Sequence, residues 1–357
     1  MKWNKKHIVL SILLPIQMLL IELASKNPEF IETYYSNGIY LYLSKFLRIV
    51  LGWLPFSAGD LLMVLGLFVL IRFLYRLIRT NFKNLIPKII HITAALSIIY
   101  FCFYLLWGLN YYREPLVNKL NFKNQPYSTD QLQKVTETIL LHLNESHSKL
   151  TQNDTLKIQI PHSQDEMYKI ALNGYKNLSY DFPQFLYKNP SIKSSLISSL
   201  QTYNKTSGYL NPFTGEAQVN DKIPKTSFPT TTCHEMAHQI GYAAENEANF
   251  IGFLAANYNE NLYFKYASYR MAFGYCISEL RKRDENLSRK LWVNVNKGIV
   301  RDYKESYEFW QNYKNPFEPI IKKGYSAYLK ANKQEKGIES YNYVVNLLIY
   351  YFEAKKN

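Results

Sequence analysis

The sequence predicts a mainly α fold: N-terminal transmembrane helices followed by a predominantly helical α+β domain with one small edge strand or hairpin. Three observations predict it. Three long apolar stretches crowd into the first 112 of the 357 residues. Helical apolar spacing runs through most of the remainder. One turn-rich stretch, "GYLNPFTGEAQVN" (208–220), interrupts it just ahead of a His-Glu-Met-Ala-His motif.

The first apolar stretch, "IVLSILLPIQMLLIELA" (8–24), follows Lys2, Lys5 and Lys6. It has the basic and apolar regions of a signal peptide, but Glu22 sits where a small-residue cleavage site belongs, so an uncleaved anchor is expected. The second (61–78) contains Arg72 and Arg76, which can snorkel to one interface. The third (89–112) has no formal charge and ends in Trp107, Tyr111 and Tyr112, a pattern that reads as an aromatic interface belt. Core helices of a soluble protein would not be so long or so apolar. Between the first two stretches, "YLYLSKFLRIVLGWLPF" (40–56) is apolar with Lys45 and Arg48 close together. It reads as an interfacial helix or a short re-entrant segment.

Charge sets the expected orientation. The N-terminus and the loop after the second stretch hold Lys2, Lys5, Lys6, Arg72, Arg76, Arg79, Lys83 and Lys88. The loop between the first two holds only Lys26, Lys45 and Arg48, offset by Glu29, Glu32 and Asp60. The positive-inside rule then places the N-terminus in the cytoplasm, residues 1–112 in the membrane region and residues 113–357 in an extracytoplasmic domain. Of the net charge of +14, half lies in residues 1–110, where 11 Lys and Arg face 4 Asp and Glu. Basic runs that flank apolar segments point to the lipid bilayer as partner and away from nucleic acid. Three widely spaced cysteines, Cys102, Cys233 and Cys276, make no disulfide framework. Cys233 adjoins the motif, but it lies about 100° round the helix from His234.

In the second region, Ser128 with Gln131 and Ser163 with Glu166 are capping-box patterns that open helices. "LSRKLWVNVNKGIVRDYKESYEFWQNY" and "ESYNYVVNLLIYYF" are also helical in period. The 31 tyrosines are spread along the chain and imply no stacking platform.

The chemistry lies in "CHEMAHQIGYAAENEANF" (233–250). On a helix, His234 and His238 are one turn apart on one face, so both imidazoles can bind one Zn²⁺. Glu235 is placed to take a proton from a water that the metal acidifies. The flanks support a zinc motif over chance: Thr231, Thr232, Met236, Ala237, Gln239 and Ile240 put no charge where charge marks accidental matches. Ser227 as N-cap, Pro229 in the first turn and Gly241 at the end frame the helix.

A third ligand is needed. A metzincin would have His where Ala244 stands. A gluzincin takes a Glu from the next helix with an Asp or Asn four residues on, and Glu245 with Asn249 has that spacing. Glu245 is therefore the expected ligand, and Asn249 is expected to accept a hydrogen bond from a ligand His. Glu247, about 200° away on a helix, would point elsewhere. Tyr266, Tyr269 and Tyr341 are the possible oxyanion or substrate donors. The 208–220 segment is the expected edge strand for an extended substrate. The domain is thus expected to be zincin-like.

"YYSNGIY", "LPFSAGD", "WGLNYYR", "NPFTGEAQVN", "CHEMAHQIGYAAENEANF" and "GIESYNYVVNLL" resemble the blocks of a family of uncharacterised bacterial membrane proteins. That family has an N-terminal multi-span region and a C-terminal HExxH domain of unknown function. The resemblance implies a zinc-metallopeptidase-like protein of the bacterial inner membrane and supplies no substrate. The function expected is zinc-dependent hydrolysis of a peptide or protein of the envelope. The competing expectation is a non-catalytic membrane sensor or scaffold with a structural or vestigial zinc site, although a structural site has no need of Glu235.

Overall fold

Leu, Ile, Val and Phe fill three helices that are long and apolar enough to cross a membrane: Lys5–Ala24, Ala58–Arg79 and Leu85–Leu106. The computed structural model describes residues 5–80, 85–120, 122 and 125–355. Lys2 and Lys83, used above for orientation, lie outside the described residues. The first and third apolar helices are linked by hydroxyls: Ser11 donates to the Ile90 carbonyl at 2.9 Å and accepts from Thr93 at 2.8 Å.

The third apolar helix stops at Leu106, short of the expected Tyr112. Trp107 leaves helical geometry (φ −154°, ψ −51°), and Gly108–Tyr112 makes a 3₁₀ turn. The expected interface belt is corrected accordingly. Trp107 and Tyr112 are buried within the protein, because this turn packs against Ile31, Tyr35, Tyr40 and Ala243.

Buried polar bonds tie the apolar helices to the rest. After the first of them the chain forms a π-helix, Ile31–Ile39, and then an α-helix, Tyr40–Gly52. Glu32 of the π-helix accepts from Arg113 Nε and Nη2 at 2.8 and 2.7 Å and also pairs with Lys119. All of Glu32 and Arg113 is buried. The N-terminus of Ala58–Arg79 is fixed as firmly. Ser57 caps it by accepting from Asp60 N–H. The Glu216 carboxylate takes the Ala58 and Gly59 N–H groups at 3.2 and 2.6 Å and the Lys193 ammonium at 2.5 Å. An acid at that end satisfies donors the helix leaves open and complements its dipole.

The sheet has three short strands in the order β1 (Ile192–Ser194), β3 (Ala217–Val219), β2 (Gly208–Leu210). β1 runs parallel to β3, with Ile192 opposite Ala217. β2 runs antiparallel to β3, with Gly208 opposite Val219. The β2–β3 hairpin is the one the turn chemistry predicts, and Asn211 Oδ1 closes its turn by accepting from Phe213 and Thr214 N–H. β1 had no signal in the sequence, because three residues are too few to show an alternation.

Both predicted capping boxes form, opening the helices Thr129–Thr151 and Gln164–Asp181. The stretch 287–313, helical in period as expected, holds two helices, Glu285–Val293 and Lys297–Asn312, separated at Asn294–Asn296 where Asn144 takes the backbone bonds. The last expected helix begins as a 3₁₀ turn, Gly337–Tyr343, and continues as Val344–Ala354. One core of Leu132, Ile139, Leu143, Tyr175, Phe250, Phe253 and Phe273 unites these helices with Phe228–Gln239, Glu245–Asn257 and Leu262–Arg283.

Glu32→Ala would leave Arg113 without its buried counter-charge, at a cost of about 3–5 kcal/mol, read as a lowered denaturation midpoint. Burial pushes the Glu32 carboxyl up, but Arg113 and then Lys119 outweigh it and hold it below 4.5. A carboxyl lowered on folding stabilises above its unfolded value and loses that contribution as pH falls. The midpoint gap between the wild type and Glu32→Gln should hold above about pH 5 and close below it. A gap independent of pH would show that charge is not what ties the joint.

Candidate metal centre

The helix Phe228–Gln239 starts with Pro229 in its first turn, as the sequence predicts. Ser227 holds the N-cap position without capping, because its hydroxyl turns to accept from Arg270 Nη1 at 3.3 Å. At the other end the backbone makes a Schellman motif. Tyr242 N–H bonds to the Ala237 carbonyl and Gly241 N–H to the His238 carbonyl, with Gly241 at φ +92°. Ala244 then starts a second helix, Glu245–Asn257, whose first residue is Glu245. The reversal lays its first turn against His234 and His238.

The two imidazoles converge on one carboxylate oxygen. His234 Nε2 lies 3.3 Å and His238 Nε2 3.5 Å from Glu245 Oε2. Each ring is held from behind: His234 Nδ1 faces Asn249 Oδ1 at 2.9 Å, and His238 Nδ1 faces the Tyr242 carbonyl at 2.7 Å. Both partners are acceptors, so each Nδ1 carries a proton and each Nε2 turns inward. Asn249 is steadied in turn by donating to the Tyr275 hydroxyl at 3.2 Å.

Glu235 lies beside them, with ligand atoms of His234, Glu235 and His238 within 4.8 Å of one another. Its carboxyl is buried, and Oε2 has no hydrogen-bond partner among the described residues. Burial pushes it up to about 7, against the pull of the two histidines. For Glu245, burial is outweighed by the imidazoles, which hold it well below 4.5. Burial pulls His238 down, but Glu245 and Glu235 hold it up at about 9.

These residues fit a zinc ion. Ligand atoms about 2.0–2.1 Å from one tetrahedral centre lie roughly 3.3–3.5 Å apart, the separation of the two Nε2 atoms from Glu245 Oε2. Glu245 Oε2 is buried and makes no well-formed hydrogen bond among the described residues, as an oxygen reserved for a cation would be. The donor set of two imidazoles and a carboxylate is one that zinc accepts.

The structure separates Glu245 from Glu247. Glu247 points away and accepts from Leu116 N–H at 2.6 Å, close to Arg113. Cys233 faces the core, where burial raises its thiol, and its carbonyl accepts from the Tyr175 hydroxyl. Two of the three candidate tyrosines are corrected. Tyr266 is buried and donates to Asp302 at 2.5 Å, and Tyr269 packs between His142 and Phe253. Both are core residues, and neither lines the cavity over the histidines. Tyr341 does line it, with its ring parallel to that of His234. Sequence reasoning missed Tyr325, whose hydroxyl donates to Glu245 Oε1 at 2.9 Å and meets Tyr341 at 3.1 Å. Among so many tyrosines no local spacing could single it out.

The cavity has a volume of about 920 Å³. Its walls include β2, Trp107, Tyr111 and the helix Glu318–Ala331, which carries Tyr325. A Cβ added at Gly208 of β2 would lie 2.6 Å from Glu235 Oε1 and 2.9 Å from the Gln218 carbonyl, so the strand approaches the acid as closely as it does only through glycine.

A family model described as "Protein of unknown function (DUF3810)" matches residues 35–349. The chain belongs to that family. The match takes in both site helices, β2 and the Glu318–Ala331 wall, and begins beyond the first apolar helix. No curated protein and no solved structure matches the chain.

Metal analysis of the purified full-length chain should find zinc lost in Glu245→Ala and kept in Glu247→Gln. The opposite pattern would reverse the assignment of the two acids. Gly208→Ala should keep zinc while displacing the Glu235 side chain, seen as unchanged metal content with a shifted Glu235 in a structure of the variant.

Proposed function

We propose that the chain is a membrane-anchored zinc metallopeptidase, gluzincin-like in its His234, His238 and Glu245 ligand pattern. Its substrate is an extracytoplasmic peptide or protein of the bacterial envelope. The observation that carries the reading is the convergence of two inward-turned imidazole Nε2 atoms on Glu245 Oε2, with an unpartnered buried acid, Glu235, beside them. In this reading the N-terminus is cytoplasmic. Arg76 and Arg79 close the last turn of the second apolar helix on the cytoplasmic side, while the C-terminal domain gathers at the opposite ends.

Zinc held by His234, His238 and Glu245 would supply Lewis acidity and make water nucleophilic near neutral pH. The chain's own groups do the rest. Glu235, poised near neutrality by burial, takes a proton from the attacking water and passes it to the departing amine. Asn249 and the Tyr242 carbonyl keep both imidazoles in one tautomer and orientation. Burial and the Glu245 charge push the Tyr325 and Tyr341 hydroxyls well above 10, so both remain donors, and Tyr341, on the cavity wall, would exchange its bond to Tyr325 for one to a developing oxyanion. Bonds from Asn220 N–H to Ser207 and from Asn211 N–H to Glu216 set the β2–β3 alternation. That alternation turns the Gly208 and Leu210 backbone groups away from β3, toward an extended peptide.

Glu235→Gln should keep zinc and lower cleavage of a peptide library by about 10²–10⁴-fold, the usual contribution of a general base. Full complementation of a deletion strain by Glu235→Gln would defeat the hydrolase reading and favour a non-catalytic sensor or scaffold.

A further inference from the structure

The helix Tyr40–Gly52 has its polarity inside out. Its buried residues are Tyr40, Ser44 and Arg48, one turn apart on a single face. All three bond to backbone carbonyls of the C-terminal domain. Tyr40 and Ser44 donate to Gln239 at 3.1 and 3.0 Å, and Arg48 donates to Lys188 at 2.8 Å. The outward face carries Leu41, Tyr42, Phe46, Ile49, Val50 and, just past the helix, Trp53, which is 76 % exposed, with Lys45 the one charge among them, on a stem long enough to reach the headgroups. A helix surrounded by water would reverse this arrangement, since its apolar stripe would turn inward. The chain reaches this helix from one apolar span through the π-helix Ile31–Ile39 and leaves it for the start of the next. The surface that matches its outward face is therefore the lipid those spans occupy.

The metal centre hangs directly from this helix. Gln239, which accepts both hydroxyls, follows His238 in the chain. Trp107, the residue after the third apolar helix, lines the cavity with its ring 5.9 Å from that of His238. Leu210 of the free strand edge packs on the same cluster as Ile21 and Ala24 at the end of the first span. The ends of the first and third spans meet beneath the cavity, and the start of the second is bonded to Glu216 beside β3.

We propose that Tyr40–Gly52 lies in the outer leaflet and holds the cavity at the lipid surface. The segment the site takes is then the stretch of a membrane-anchored polypeptide just outside its own anchor. The substrate half of this inference rests on the hydrolase reading; the lipid seat does not. A helix is about 10–12 Å across and an extended chain advances about 3.3 Å per residue, so a chain spans that thickness in about four residues and cleavage falls close to the anchor.

The test uses the full-length chain in nanodiscs whose lipids carry a nitroxide high on the acyl chain. Bimane is attached through Phe46→Cys, Trp53→Cys or, on the domain surface, Tyr307→Cys, with the unsubstituted chain as blank. Quenching at the first two positions and not at the third is expected. No quenching at either of the first two overturns the lipid seat, as does a disulfide between two Phe46→Cys copies, which would give that face to a second chain. In the same nanodiscs, a random segment displayed on a single-span anchor is compared with that segment free in solution. Cuts clustered near the anchor, with the free library cut at least about tenfold more slowly, are expected. Equal cutting of both, or cuts scattered along the segment, overturns the substrate class. Quenching as expected with no cleavage in either format, zinc being bound, sinks the hydrolase reading and the substrate class with it.

Discussion

One guanidinium holds the two regions of this molecule together. Arg113 binds Glu32 through Nε and Nη2, donates through Nη1 to the Gly241 carbonyl at 2.7 Å, and lies 4.1 Å over the Tyr242 ring. Glu32 belongs to the segment that follows the first apolar helix, and Gly241 and Tyr242 belong to the turn between the two site helices. A planar fork with five donors and a stackable face can make all of these contacts at once, and a lysine could not. The Tyr242 carbonyl in turn orients His238. The segment after the first apolar helix thereby sets the position of a site residue through two contacts.

The same logic explains the tolerance of so much charge in a dry interior. Glu32, Glu235, Glu245, Glu247, Glu216 and Asp60 are all buried. Five of them have a stated partner: a guanidinium, an imidazole pair, a backbone N–H at Leu116, an ammonium with helix N–H groups, and the Tyr209 and Ser195 hydroxyls. Buried carboxylates persist where such partners offset desolvation. Glu235 has no such partner at Oε2 among the described residues, and burial opposes its charge and pushes the carboxyl up to about 7.

Local signals were readable in the sequence, and distant ones were not. The two capping boxes, the Gly241 turn, the β2–β3 hairpin and the apolar lengths are written in spacings of a few residues, and each has its place in the fold. So is the pairing of Glu245 with Asn249, four residues apart, which puts both beside the histidines. Hidden from the sequence was whatever required a tertiary partner. Apolar composition continues to Tyr112, past the backbone break at Trp107, and nothing in the letters marks that break. The aromatic run there has the composition of an interface belt, while two of its three rings are buried against the neighbouring chain. Tyr266 and Tyr325 are indistinguishable as letters. One is fixed by Asp302 in the core and the other by Glu245, and both partners are far away in sequence.

The turn at Ile240–Ala244 also has a meaning in chain entropy. The His234–Asn249 contact spans 15 positions, whereas Tyr325 reaches Glu245 across 80 and Arg113 reaches Gly241 across 128. Closing a loop becomes costlier with its length, though slowly. The cluster of histidines and acids is therefore a local hairpin of helices that needs little of the chain to assemble. The cavity around it, roofed by Tyr325 and floored by the membrane-proximal segment, is a global property that exists only when both ends of the polypeptide have arrived.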